Sequence, residues 1–142
     1  MEKNEIPEIT RVLETALYVD DLSRASEFYR EVFGFSALVE TSRLCALNVG
    51  GLSVLLLFQR GTTVTGLETD SGWIPPHDGR GPAHFALAIE RDDVETWKAH
   101  LEKRAIAIES VVTWERGGTS IYFRDPEGHS VELVTRGTWA TF

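Results

Sequence analysis

Three ionisable residues stand inside stretches that otherwise read as apolar strands: Glu14 beside Val12, Ala16 and Tyr18, His84 beside Ala86 and Ala88, and Glu132 between Val131 and Leu133. Side chains alternate along a strand, so Glu14 and His84 share their faces with these apolar neighbours, whereas Glu132 shares its face with Ser130 and Val134. A buried carboxylate or imidazole is costly unless it is paired, hydrogen-bonded or bound to a metal. For any one of them, an edge-strand group or a satisfied core group is the ordinary reading. One histidine with two carboxylates is also a donor set suited to Mn²⁺, Fe²⁺, Ni²⁺, Co²⁺ or Zn²⁺.

The elements that must position these residues occur twice. Residues 10–19 read as a strand, and Asp20, Asp21 and Ser23 supply N-cap candidates for a helix with Ala25, Phe28, Tyr29 and Val32 on one stripe and Gly34 as its stop. Strands at 35–40, 44–49 and 52–58 follow, the last two joined through Gly50-Gly51. The second half repeats the order: a strand at 84–89, a helix opened by the capping-box-like Asp92-x-x-Glu95 and striped by Val94, Trp97 and Leu101, then strands at 106–111, 119–123 and 129–135. Asp125-Pro126-Glu127-Gly128 is a strong turn between the last two. This is βαβββ twice, an α+β plan of about fifty residues per copy. Aligning the copies sets Glu14 against His84 and Leu55 against Glu132.

One domain is expected over residues 8–142, with a first module at about 10–59, a second at about 83–136 and a connecting loop at 60–82. The loop holds five of the twelve glycines and three of the five prolines, a composition that suits a lid. Trp73, His77 and Arg80 in it are candidate substrate contacts, with Gly79 and Gly81 providing freedom to move. Trp114, Arg116 and Tyr122 form a second candidate substrate-binding wall, aromatic and cationic. His100 and His129 read as exposed, and Arg124 as the surface partner of Asp125.

The net charge of −8, with Lys and Arg scattered, argues against nucleic acid and anionic membrane as partners. The lone Cys45 cannot form an internal disulfide and reads as a structural thiol; residues 1–7 lack the apolar core of a signal peptide. A cytoplasmic location is the expectation. No Gly-x-Ser-x-Gly elbow, glycine-rich phosphate loop, His-Glu-x-x-His or Cys-x-x-Cys occurs, which sets aside hydrolase triads and nucleotide binding.

The double βαβββ order, Ala16-Leu17-Tyr18-Val19-Asp20-Asp21-Leu22, Phe28-Tyr29 leading to Phe33-Gly34-Phe35, and the run from Tyr122 through Asp125-Pro126-Glu127-Gly128-His129 to Glu132-Leu133 resemble the vicinal oxygen chelate superfamily. Glyoxalase I, bleomycin-resistance proteins, fosfomycin-resistance enzymes and extradiol dioxygenases belong to it. The resemblance implies a glyoxalase-like fold, in which mixed sheet curls around a metal-binding cleft. It implies Glu14, His84 and Glu132 as ligands of a divalent metal, with Leu55 where glyoxalase I has a further carboxylate. Glu14 and Glu132 are then the candidate catalytic carboxylates, Glu14 as a ligand that loosens to take a proton. The implied activity is isomerase, lyase or epoxide-opening chemistry on a small molecule with adjacent oxygens. A bleomycin-resistance-like binding protein is the alternative, and an extradiol dioxygenase fits less well. A homodimer in which two chains share each site is also implied.

Overall fold

The computed structural model describes residues 6–142, so most of the amino-terminal stretch 1–7 lies outside the described residues. The first module comprises β1 (Glu14–Val19), α1 (Leu22–Phe33), β2 (Ser36–Glu40), β3 (Leu44–Val49) and β4 (Ser53–Gln59). A small hairpin, β5 (Leu67–Thr69) and β6 (Gly72–Ile74), lies in the connecting loop. The second module follows with β7 (His84–Ala88), α2 (Val94–Lys103), β8 (Ser110–Thr113), β9 (Thr119–Arg124) and β10 (Ser130–Val134). The two four-stranded sheets have orders β1-β4-β3-β2 and β7-β10-β9-β8. One topology is therefore used twice, with a parallel edge strand leading each copy.

Local chemistry explains the well-placed boundaries. Asp21 caps α1 by accepting from the Arg24 N–H, and Gly34 closes it at φ 70°, donating to the Arg30 carbonyl. Gly50 and Gly51, at φ 61° and 72°, lie with Leu52 in the three-residue turn between β3 and β4, whose ends Val49 and Ser53 pair. Two expectations need correction in the second module. The anticipated capping box is not made: a 3-10 turn over Arg91–Asp93 leads into α2, and Asp93 makes no side-chain cap. Strand β8 begins at Ser110 rather than at 106, because Ile106 and Ile108 pack on the core while they carry the chain from helix to sheet.

The strand register also corrects the alignment of the two copies by one residue. Glu132 lies opposite Ala86, and Ala86 corresponds to Ala16, whose partner is Leu56. Leu56 is thus the counterpart of Glu132, and Leu55 belongs to the opposite, core-facing side of β4. A slip of one residue exchanges the faces of a strand, so an alignment by turns alone misplaces it. The counterpart is an aliphatic residue in either case.

One core joins the modules. Leu17, Leu47, Leu55 and Leu57 of the first sheet, Ala25, Tyr29 and Val32 of α1, and Ile121, Phe123, Val131 and Leu133 of the second sheet form a single cluster with Leu101 of α2. Each sheet therefore spends one face on this shared core. The other face carries Glu14, Ala16 and Tyr18 in the first sheet and His84, Ala86 and Glu132 in the second. Cys45 is buried in the core with Ser26 Oγ donating to its Sγ, as a structural thiol should be. In the tail, Phe142 lies under Arg136 at 4.4 Å, whereas Trp139 remains exposed.

Three side chains, Asp125, His129 and His100, lock the modules together, and all three reverse the sequence reading. Asp125 is buried; it accepts from the Tyr29 hydroxyl at 2.7 Å and from the backbone N–H groups of Glu127 and His129. Arg124 pairs instead with Glu109, in a fork of 2.7 and 3.2 Å. His129 is buried as well: its Nδ1 accepts from the Ala83 N–H, so its Nε2–H donates to the Tyr18 carbonyl of the first module. His100 is not a solvent group either, since its Nε2 bonds the Val32 carbonyl at the end of α1. The turn motif is thus a strut between modules as well as a turn.

Burial, then the Asp125 charge and its hydrogen bond, hold the Tyr29 hydroxyl well above its ordinary 10.0. The native state retains this proton where the unfolded chain loses it, so the linked stability is full below pH ~10 and declines as pH rises beyond it. Alkaline titration followed by circular dichroism should show this decline, and Tyr29→Phe should flatten it. An equally steep decline in the Phe variant would refute the assignment.

Candidate metal centre

Strands β7 and β10 run parallel with Ser130 opposite His84 and Glu132 opposite Ala86, which makes His84 and Glu132 diagonal neighbours on one sheet face. His84 Nδ1 lies 3.1 Å from the Ser130 carbonyl. A carbonyl only accepts, so Nδ1 carries hydrogen and Nε2 is the free nitrogen. That Nε2 lies 3.3 Å from Glu132 Oε1. An imidazole lone pair and a carboxylate oxygen at this separation require a cation between them, either a proton on Nε2 or a metal ion. The backbone carbonyl behind the ring is the support that metal-binding histidines characteristically use. The Tyr122 ring stacks beside the imidazole at 6.2 Å and limits its rotation.

Glu132 is 7% exposed although it lies on the open face, while the His84 side chain keeps about half its surface, 52%. The carboxylate is therefore sheltered and reachable through the histidine side. Its second oxygen accepts from Ser120 Oγ at 2.6 Å, and Ser120 Oγ accepts from Trp114 Nε1 at 2.8 Å. Ser120 was not marked by the sequence. Its signal is the hairpin register, which pairs Tyr122 with Glu132 and so sets Ser120, two residues earlier, on the same face as a diagonal neighbour.

Glu14 begins β1, an edge strand, as His84 begins β7. Its side chain is exposed rather than buried, on the open face of the first sheet. Among the described residues, no three His, Cys, Asp or Glu side chains of one chain converge as a metal group. The structure thus unites His84 with Glu132 and leaves Glu14 apart within the chain.

The substrate candidates divide in the same way. Trp114 and Tyr122 adjoin Glu132 and His84, and Arg116 is exposed in the turn that follows Trp114. Trp73 is exposed on the β5–β6 hairpin, and Arg80 is exposed farther along the loop. His77 packs edge-on to Phe58 at 4.7 Å, and its Nδ1 shares a 2.6 Å hydrogen bond with the Tyr18 hydroxyl. Burial and then the Asp78 charge push that hydroxyl above its usual 10.0.

The loop is fastened to the first module instead of standing free as a lid. His77 is bonded to Thr63 at both its N–H and its carbonyl, and Arg60 ties the Gly79 carbonyl to the Tyr18 carbonyl and to Asp20. Gly79 serves close approach rather than motion, since a Cβ there would meet the Tyr18 ring at 2.5 Å.

The model of the Glyoxalase/Bleomycin resistance protein/Dioxygenase superfamily matches residues 11–133. The chain belongs to this superfamily, the vicinal oxygen chelate proteins. Within it, the chain is 32% identical over 119 residues to a metallothiol transferase FosB of Staphylococcus saprophyticus, covering 82% of this chain and 71% of that one. It is 28% identical over 141 residues to a catechol-2,3-dioxygenase of Bacillus subtilis, covering 94% of this chain and 45% of that one. The structure of a lactoylglutathione lyase from Agrobacterium tumefaciens superposes with a TM-score of 0.86 at 33% identity, covering 94% of this chain and 99% of that one. The superfamily and its fold agree with the α+β reading. These names span a transferase, a dioxygenase and a lyase, so membership alone selects no reaction. No helix among the described residues is long and apolar enough to cross a membrane.

Proposed function

We propose that this vicinal oxygen chelate protein is a divalent-metal-dependent enzyme acting on a small molecule with adjacent oxygens, through an isomerase, lyase or epoxide-opening step. The carrying observation is the gap between His84 Nε2 and Glu132 Oε1, where two acceptors face each other with both outer atoms already committed to hydrogen bonds. The donor set of imidazole and carboxylate oxygen fits Mn²⁺, Fe²⁺, Ni²⁺, Co²⁺ or Zn²⁺. Such an ion, when bound, supplies Lewis acidity toward a developing oxyanion.

The protein's own contributions follow from placement. His84 and Glu132 hold the ion, Tyr122 restrains the imidazole, and the sheltered carboxylate sits with limited water access. Glu14 of a second copy completes the shell and is the group that accepts and returns a proton at its carboxylate oxygen. Two observations support a shared site: Glu14 stands apart from the pair in one chain, and both Glu14 and His84 open edge strands with an unpaired backbone row available to another copy. Trp114, Tyr122 and Arg116 line the second module's side of the opening, while Trp73, His77 and Arg80 belong to the first module's side.

Mixing two variants tests the shared site. Glu14→Gln and Glu132→Gln each lose bound Mn²⁺ as homodimers, whereas chains reassorted at random should recover metal in about a quarter of the sites, because half the dimers then hold one intact set. Light scattering that gives a monomer mass, or a Glu14→Gln chain that binds Mn²⁺ as wild type does, would overturn the shared arrangement.

A further inference from the structure

We infer that Trp114 and Ser120 act as positioning residues which fix Glu132 as a one-oxygen ligand; this rests on the metal reading above. The direction of the chain follows from donor chemistry. An indole N–H can only donate, so at 2.8 Å Ser120 Oγ must accept from Trp114. The single hydroxyl hydrogen of Ser120 is then committed to Glu132 Oε2 at 2.6 Å, a length typical of a hydroxyl bonded to a charged oxygen. The bond turns Oε2 of Glu132 toward β9 and leaves Oε1 facing His84 Nε2.

Three consequences follow. Oε1 is the oxygen left free to meet an ion beside His84, because Oε2 is engaged by Ser120 on the far side. The Ser120 hydroxyl has no hydrogen left for a substrate. The indole of Trp114, 39% exposed, has its nitrogen engaged and offers only ring surface to a ligand. Trp114 lies at the end of β8, next to the Gly117-Gly118 turn. The tail covers that turn: Gly118 N–H donates to the Gly137 carbonyl, and a Cβ on Gly118 would collide with Thr138 Oγ1. The tail thereby braces the first donor of the relay, a role that spacing in the sequence does not suggest. Ser120 itself is fully buried between the two.

The test compares Trp114→Phe, Ser120→Ala and wild type by two readouts. In metal-free protein, the Trp114 indole N–H resonance, assigned by its absence in Trp114→Phe, should exchange slowly with solvent and shift in Ser120→Ala. An unshifted, fast-exchanging indole N–H overturns the relay whether or not metal binds. In Co²⁺ titrations, Ser120→Ala should weaken binding about 10–100-fold and alter the visible d–d spectrum, with a smaller change in the same direction for Trp114→Phe. Wild-type Co²⁺ affinity and an unchanged spectrum in both variants would also refute it. Wild-type protein that takes up no Co²⁺ refutes instead the metal reading, while the resonance still judges the relay. Trp114→Phe guards against misfolding of Ser120→Ala, since it removes the first donor at a half-exposed position.

Discussion

Glu132→Gln removes stoichiometric divalent metal from the purified protein, and His84→Ala does the same. The glutamine keeps the shape of the side chain and still accepts from Ser120, so the loss isolates the charge and the Oε1 donor facing His84. Loss of one of three ligands weakens binding by about 100-fold or more, on the order of 3 kcal/mol. The metal-free proteins should behave differently. Without metal the gap to His84 is closed by a proton on Nε2, so Glu132→Gln removes one partner of a pair that is half open to solvent and keeps the bond from Ser120, and stability changes by only about 1 kcal/mol or less. The wild type then gains in Tm on adding Mn²⁺, and the variant does not. Elemental analysis of chelator-free preparations with melting curves in Mn²⁺ or EDTA measures both effects. A wild type that stays metal-free under all five candidate metals would sink the enzyme reading and favour a binding protein. In that case a proton on His84 Nε2 occupies the gap.

Asp125→Ala produces the largest loss of stability of any single substitution considered. It deletes an acceptor buried at 5% exposure and strands the Tyr29 hydroxyl and the N–H groups of Glu127 and His129 without a partner. Charged acceptors in such settings are worth about 3 kcal/mol when removed, which lowers Tm by roughly 6–12 °C for a chain of this size. The consequence reaches the site, because the same turn delivers β10 and therefore Glu132, and His129 anchors the turn to the Tyr18 carbonyl. Thermal and urea unfolding measure the loss; one below about 1 kcal/mol would show that the turn relaxes without strain. Tyr29→Phe, which removes one of the three donors and leaves Asp125 in place, should cost less.

The site was legible in part because its residues break a local rule. An ionisable group in an apolar alternating stretch conflicts with its surroundings, and such conflicts concentrate at functional positions. Glu132 and His84 were visible for that reason, whereas the parallel pairing of β7 with β10 that makes them neighbours is a matter of topology. Ser120 broke no rule, since a serine in a strand is ordinary, and only the register with β10 shows that it bonds the carboxylate. Asp125 and His129 were hidden by a stronger signal: Asp-Pro-Glu-Gly is a turn whatever it touches, and turns are expected at the surface. That these side chains face the other module depends on how the modules pack.

What the sequence by itself determined is everything governed by neighbours along the chain. The α+β class, the double βαβββ order, the Asp21 cap, the Gly34 stop, the Gly50-Gly51 turn and the stripe of α1 each follow from propensity, periodicity and positive φ, which act over a few residues. Tertiary structure alone decided which face of each strand is open, that Leu56 rather than Leu55 matches Glu132, that the loop is bound to Tyr18 and that Glu14 stands apart from its expected companions. These depend on register and on packing between elements distant in sequence. A one-residue slip leaves composition and period unchanged while exchanging the two faces of a strand, so local patterns cannot distinguish them. Once the two sheets commit one face each to a common core, Glu14 and the His84–Glu132 pair are left on the open faces of separate sheets.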